Sequence, residues 1–176
     1  MYRDNTLIPA EAIRLAALGE LCGGEKTYGV LASGIRHVVA RLVGPSLDLL
    51  GSSLEVLHLE GLIEPVGTDE VGENTQLKIT DAGRELFARL MASAVRAPMN
   101  DVSRLVIALK LKYLTHLDPV DRDAQVDMMI ELFEADRNRM EDLRRSEDAG
   151  LLAKWLDLDI AQAETRLSWL KGLKQA

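Results

Sequence analysis

Features that mark several classes of protein are missing from this 176-residue sequence. Its single cysteine, Cys22, cannot form a disulfide within the chain, which fits a reducing compartment. No apolar stretch approaches the roughly 18 residues that a membrane-spanning helix needs. No basic segment followed by an apolar one opens the sequence. We therefore expect a cytoplasmic protein that has no membrane partner.

Residue patterns for catalysis and metal binding are also missing. The histidines lack metal-ligand spacing with one another and with the cysteine, and the carboxylates are scattered through amphipathic segments. The segment 19–27 resembles a nucleotide-binding phosphate loop, but Glu25 stands where that loop needs a lysine. A predicted helix, rather than a strand, also precedes the segment. The sequence therefore predicts no enzyme, no metal site and no cofactor.

The stretch 47–91 carries the clearest structural pattern. Its first part has the apolar spacing of one helix face, with leucines at positions 47, 50, 54 and 57. Segment 62–66 is predicted as a strand, and 76–79 alternates polar and apolar residues like a half-buried return strand. Thr80 can then cap a further helix. Helix, strand, loop, strand and helix in this order are the plan of a winged helix-turn-helix.

Helices are predicted on both sides of this stretch. Two precede it, at about 10–22 and 28–41, and the apolar spacing after Pro98 predicts three more, at about 101–115, 119–145 and 151–173. The last helix carries an apolar seam of the kind that packs against a partner helix. The seam is formed by Leu152, Leu156, Ile160, Ala163, Leu167 and Leu170. The predicted fold is mostly α with a small β wing, and the seam predicts a homodimer.

Four segments resemble one family of regulators. Leu54–Ile63 and Leu77–Glu85 resemble motifs of the PadR family of winged-helix repressors. Leu114–Pro119 and Ala163–Leu170, together with Trp155, resemble the C-terminal helices of the larger PadR subfamily. The resemblance implies a winged helix-turn-helix DNA-binding domain over residues 10–97. It implies a helical dimerisation and effector domain over residues 98–176.

The residues expected at DNA follow from their positions in this plan. The helix at 28–41 would cross the phosphate backbone, and the helix after residue 46 would enter the major groove. Tyr28 matches the tyrosine with which the first of these helices usually starts in the family, whereas Thr27 replaces a glycine. The candidate DNA-binding residues are Lys26, Tyr28, Arg36, His37, Ser46, Ser52, Ser53 and Lys78.

The charge pattern disfavours tight binding to nucleic acid. The chain has a net charge of −7, and no Lys or Arg lies between Arg41 and Lys78. Asp48 and Glu55 on the predicted recognition helix would be repelled by phosphate. Two functions therefore stay open. The first is a homodimeric transcriptional regulator, a repressor, that binds double-stranded DNA and is released by a small-molecule signal. The alternative is a winged-helix scaffold that has lost DNA binding and acts by binding another protein.

Trp155 and Trp169 are the two tryptophans of the sequence, and both lie on the last predicted helix. They either pack in the core or the dimer interface, or line a pocket for a small aromatic or cationic effector. The sequence leaves both roles open.

Overall fold

The computed structural model describes residues 6–43, 50–67 and 72–174, with the backbone alone at 50–53. In these ranges the α-helices are α1 (Pro9–Cys22), α2 (Tyr28–Leu42), α3 (Leu50–Leu59), α4 (Asp81–Met91), α5 (Asp101–Tyr113), α6 (Pro119–Ser146) and α7 (Leu151–Leu173). The strands are β1 (Lys26–Thr27), β2 (Ile63–Pro65) and β3 (Gln76–Ile79), and a short 3-10 helix covers Leu114–His116. This is the predicted fold class, mostly helical with a small β wing, and the prediction is confirmed.

Side-chain caps fix where several helices begin. The Thr80 hydroxyl oxygen accepts the Gly83 N–H at 3.1 Å at the start of α4, and the Asp118 carboxylate accepts the Asp121 N–H at 2.9 Å at the start of α6. Asn100 accepts the N–H of Ser103 at 2.9 Å in the same way before α5. Each cap satisfies one of the backbone donors that the first helical turn leaves free.

The wing is part of a three-stranded antiparallel sheet in the order β1-β3-β2. Glu64 of β2 lies opposite Lys78 of β3, and Lys26 of β1 lies opposite Leu77. The side chains of β3 alternate between exposed and buried, as the alternating sequence predicts. The short strand β1 lies outside the sequence prediction, which places only a connection between α1 and α2.

The larger core surrounds α1, which is buried on most of its circumference and packs against α2, α3, α4, α5 and β3. Leu54 and Leu57 of α3 and Phe87 of α4 belong to this core. A smaller core joins α5 to the hairpin of α6 and α7. It contains Ile107 of α5, Met129 and Phe133 of α6, and Leu167 and Leu170 of α7. Helix α5 therefore contributes to both cores, and the division at residues 97 and 98 stays a prediction.

A buried lysine ties the two cores together. Lys110 of α5 has no exposed surface. Its ammonium group donates to the main-chain oxygens of Met91 and Ser93, the latter at 2.8 Å, and to the Gln125 side chain of α6 at 2.8 Å. Burial lowers the pKa of Lys110 to about 7. The Lys110 side chain thus links α5 to the end of α4 and to α6, and all three of its hydrogen-bond acceptors are uncharged.

Helices α6 and α7 run antiparallel to each other. Ion pairs join them at both ends, Arg144 with Asp157 at 2.8 Å and Lys174 with Asp127 at 2.7 Å. Such exposed pairs contribute little stability, so the apolar contacts between the helices hold the hairpin. In the described ranges, no helix is both long and apolar enough to span a membrane.

Candidate nucleic-acid interface

A cleft of about 410 Å³ lies between α2, α3 and the base of the wing. Its lining includes Tyr28 and Arg36 from α2, Glu55 from α3 and Glu73 from the wing. Helix α3 buries Leu54 and Leu57 and leaves Glu55 exposed, because the three-residue spacing of the leucines turns one face toward the core. Arg36, the one arginine among the predicted DNA-binding residues, therefore lines the same cleft as Glu55 and Glu73.

Main-chain hydrogen bonds fix the wing against the start of α2. The N–H of Tyr28 donates to the Thr75 oxygen at 3.0 Å, and the N–H of Gly29 donates to the Glu73 oxygen at 2.9 Å. A Cβ atom at residue 29 would lie 3.0 Å from the Glu73 Cγ atom and 3.2 Å from its oxygen. The glycine thus permits the close approach of the wing to α2 beside the cleft.

Both predicted lysines are already paired with carboxylates. Lys78 contacts Glu64 at 2.9 Å across β2 and β3, and the hydrogen bond and charge of Glu64 raise the pKa of Lys78. Lys26 contacts Glu20 of α1, which also accepts from Lys112 and, at 3.0 Å, from the Tyr113 hydroxyl group. A phosphate group would have to compete with these carboxylates for each lysine.

The basic residues of α2, unlike these two lysines, are not paired with carboxylates in the described ranges. Arg36, His37 and Arg41 are exposed. Within the described ranges, no carboxylate lies at ion-pair distance from any of the three. Arg36 and Arg41 therefore carry charges that are free for a phosphate, and the ring of His37 lies exposed beside them. Their spacing on α2 places them on one side of the helix that leads into the turn before α3.

The remaining predicted DNA contacts are only partly described. Ser46 lies outside the described residues, and of Ser52 and Ser53 the structure gives the backbone in α3 alone. The sequence did not predict a role for Glu20 or Glu64, although these carboxylates pair with the predicted DNA-binding residues Lys26 and Lys78. Pairing the predicted strands 62–66 and 76–79 in register would place Glu64 beside Lys78. No local signal links Glu20 to its partners on α5.

The predicted dimer seam of α7 packs largely within the chain. Leu156, Ala163, Leu167 and Leu170 are buried, whereas Ile160 is half-buried and Leu152 is 44% exposed. That the seam contacts a partner subunit stays a prediction. A second apolar stripe of α7 is exposed, formed by Leu151, Trp155, Leu158 and Trp169. Trp155 and Trp169 are 51% and 54% exposed, and neither lines the cleft beside α3.

The comparisons with known proteins concern the whole length of the chain. A family model described as "Putative AphA-like transcriptional regulator" matches residues 2–174. No curated protein matches the sequence. A crystal structure of Bacillus subtilis PadR is similar at 14% identity over 96% of each chain, with a TM-score of 0.42.

Two further PadR crystal structures are similar. The complex of that protein with p-coumaric acid has 14% identity over 96% of this chain and 97% of the other, with a TM-score of 0.42. Its complex with operator DNA has 14% identity over 92% and 96%, with a TM-score of 0.39.

Proposed function

The chain belongs to the family of AphA-like transcriptional regulators, and we propose that it is a homodimeric repressor that binds double-stranded DNA until a small-molecule signal releases it. The family confirms the prediction of a transcriptional regulator. Membership of the larger PadR subfamily, the repressor role, the dimer and the signal belong to the proposal.

The cleft between α2, α3 and the wing is the observation that carries the proposal. In a winged helix-turn-helix, the second of the two helices enters the major groove while the first crosses the phosphate backbone. Here α3 presents Glu55 next to the cleft, and α2 presents Arg36, His37 and Arg41 without carboxylate partners in the described ranges. This arrangement matches phosphate positioning by α2 and base contacts by α3.

The free charges set how strongly salt should weaken binding. Each phosphate contact by Lys or Arg contributes about 0.9 to the slope of log affinity against log salt concentration. Two contacts in each subunit, from Arg36 and Arg41, give a dimer a slope of roughly −4. Lys26 and Lys78 are left out of this figure because Glu20 and Glu64 neutralise them.

Fluorescence anisotropy on DNA fragments from the upstream region of its own gene tests the proposal. We expect Arg36→Gln to make the salt slope shallower by roughly 2, since each subunit loses one contact. Arg122→Gln, an exposed change on α6, is the matched control and should leave the slope unaltered. Absence of binding to every fragment at about 50 mM salt would refute DNA binding by this chain.

Glu55 offers a second test of the same cleft. Its side chain lines the cleft in which we propose that DNA binds, so Glu55→Gln should tighten non-specific binding a few-fold. The gain should shrink as salt screens the repulsion. A weaker affinity in this variant would instead mean that Glu55 accepts a hydrogen bond from a base, as carboxylates do from cytosine.

The exposed stripe of α7 supports a dimer. Its members lie at spacings of four and three residues before the gap to Trp169, as in helices that pack against a partner helix. We expect Trp155→Asp with Leu158→Asp to give a folded monomer by sedimentation equilibrium, because both side chains are exposed. Leu167→Asp should instead lower the melting temperature, since Leu167 is buried against α6. A double variant that stays dimeric would rule out this stripe.

Two parts of the proposal have their own tests. The half-exposed tryptophans are proposed contacts of a small aromatic or cationic effector, and such a ligand should quench their fluorescence saturably. The alternative function, a scaffold for another protein, is favoured by the pairing of Lys26 and Lys78 with carboxylates. If the chain binds none of the DNA fragments tested above, this scaffold function replaces DNA binding as the proposal.

A further inference from the structure

The buried ammonium group of Lys110 lies where the winged helix meets the C-terminal hairpin. Two of its acceptors, the main-chain oxygens of Met91 and Ser93, belong to the last residue of α4 and to the segment that follows it. The third acceptor, the Gln125 side-chain oxygen, lies at 2.8 Å and belongs to α6. Lys110 has no exposed surface and Gln125 is 7% exposed, so solvent has little access to these hydrogen bonds. Each group therefore relies on the others for its partners.

The number of acceptors matches the protonated form of the lysine. An ammonium group has three N–H donors, and Lys110 donates to three oxygens. A neutral amine keeps two N–H donors and gains a lone pair, so it leaves one of three oxygens without a donor. The main-chain oxygens cannot turn round, whereas a glutamine amide can rotate and present its N–H groups instead of its oxygen. Gln125 is thus the partner whose contact must change when the proton leaves.

We propose that Lys110 and Gln125 form a proton-dependent contact between the winged helix and the C-terminal hairpin. With the proton bound, the Lys110 ammonium group donates to the Gln125 oxygen of α6 and to the two main-chain oxygens. When the proton passes to solvent water during a transient local opening, the Lys110 nitrogen keeps two N–H donors for the main chain. The Gln125 amide then turns, and one of its N–H groups donates to the lone pair of that nitrogen.

Burial, rather than a neighbouring charge, brings the titration of Lys110 close to neutral pH. It lowers the pKa of Lys110 to about 7, and no charged group contributes to the shift. Tyr113, one turn further along α5, stays neutral because burial raises its pKa, and Glu20 of α1 is paired with Lys112. The charged residues on the neighbouring turns of α4, the segment after it and α6 are all exposed, and they are Arg89, Arg96, Asp121 and Arg122. Gln125 is therefore the side chain that responds to the proton.

The contact spans the two cores of the chain. Met91 belongs to the larger core around α1, and Met129, one turn after Gln125 on α6, belongs to the smaller one. A change in the protonation of Lys110 therefore acts on the junction between the winged helix and the hairpin without any ligand. An effect of pH on DNA affinity through this junction rests on the proposed function, whereas the contact itself does not.

NMR spectroscopy of the isotopically labelled full chain, titrated without DNA from about pH 5.5 to about pH 9, tests the contact. We expect the Cε signal of one lysine to titrate with a midpoint of about 7, since ordinary lysines keep their protons over this range. The side-chain N–H signals of Gln125 should shift with the same midpoint. Lys110→Met should remove the titrating lysine signal, whereas Lys154→Met, an exposed change on α7, is the matched control and should leave it.

Variants of Gln125 identify the partner without altering the lysine. Gln125→Glu offers a carboxylate in place of the amide, so the midpoint of Lys110 should rise by about 1–3 pH units. Gln125→Met fills a similar volume but removes one acceptor of the ammonium group, so the midpoint should fall. In this variant the main-chain amide signals of α6 around residue 125 should no longer follow the titration. These results do not depend on whether Lys110→Met folds.

Three outcomes would overturn the proposal. One is the absence of any lysine signal that titrates below about pH 9. Another is a titration of Lys110 that leaves the side-chain signals of Gln125 unmoved, because the contact with α6 would then not depend on the proton. The third is a midpoint in Gln125→Glu equal to that of the wild type. Since no DNA is present, none of these results depends on whether the chain is a DNA-binding regulator.

Discussion

Replacement of Gly83 by alanine should loosen the junction between the wing and α4. A Cβ atom at this position would lie 2.1 Å from the Leu62 main-chain oxygen and 2.7 Å from the Ile79 Cγ1 atom. The oxygen cannot turn aside freely, because it accepts the N–H of Thr80 at 3.1 Å. Helix α4 would therefore have to move away from the segment that leads into β2.

The size of the effect follows from two opposing contributions. Overpacking of a tight site costs typically about 1–3 kcal/mol, and a clash with main chain belongs at the upper end. Alanine is the better helix former by roughly 1 kcal/mol, which leaves a net loss of about 2 kcal/mol. For a chain of this size, the melting temperature should fall by about 4–8 °C.

Thermal unfolding followed by circular dichroism measures this loss. Gly34→Ala is the matched control, since Gly34 lies within α2 and a Cβ atom there would meet nothing within 4 Å. The control should keep or raise the melting temperature. If Gly83→Ala melts at or above the wild-type temperature, the close contact with Leu62 does not exist in solution.

Two further predictions concern pH. Burial alone would raise the pKa of Glu20, but hydrogen bonds from Lys112 and Lys26 outweigh it and lower the pKa to about 2. Stability should therefore fall as the pH drops from 4.5 to about 2. Glu20→Gln should reduce this loss of stability at acid pH by about 1–2 kcal/mol, a figure lowered because its lysine partners are partly exposed to solvent. A denaturant midpoint that depends on acid pH in the variant as it does in the wild type would contradict this prediction. Lys110 has a folded pKa of about 7 against 10.5 for a free lysine, so the unfolded chain binds more protons between these values and stability should rise with pH across them. Lys110→Met should flatten this rise, and an identical slope in wild type and variant would show that burial does not perturb the lysine.

Local patterns predicted most of the winged helix. The leucine spacing of α3 identified Leu54 and Leu57 as core residues, and both are buried. The caps at Thr80 and Asp118 were readable because each involves residues three positions apart. The alternation in β3 similarly required only neighbours in sequence.

Contacts between distant residues were not predictable in this way. Lys112 reaches Glu20, 92 positions away, only because α1 and α5 pack together in the larger core. Lysine is usually found at the surface, but Lys110 is buried because Met91 and Ser93 present main-chain oxygens to its ammonium group. Helix α7 has two apolar stripes, and its sequence does not show which of them packs against α6. In the folded chain Leu156 and Leu167 are buried, whereas Trp155 is exposed.

The pairing of charges also bears on how this fold would select DNA. If Lys78 turned toward a phosphate, Glu64 on the opposite strand would be left beside the same phosphate, so the gain in attraction would be offset by repulsion. The same holds for Lys26 and Glu20. The attraction of this face to DNA phosphates, which does not depend on the DNA sequence, is therefore weak. Among the described residues of this face, Arg36 and Arg41 are the arginines that would supply it. If the chain binds DNA as proposed, a larger share of its affinity would come from contacts of α3 with bases, which favours discrimination between sequences over overall affinity.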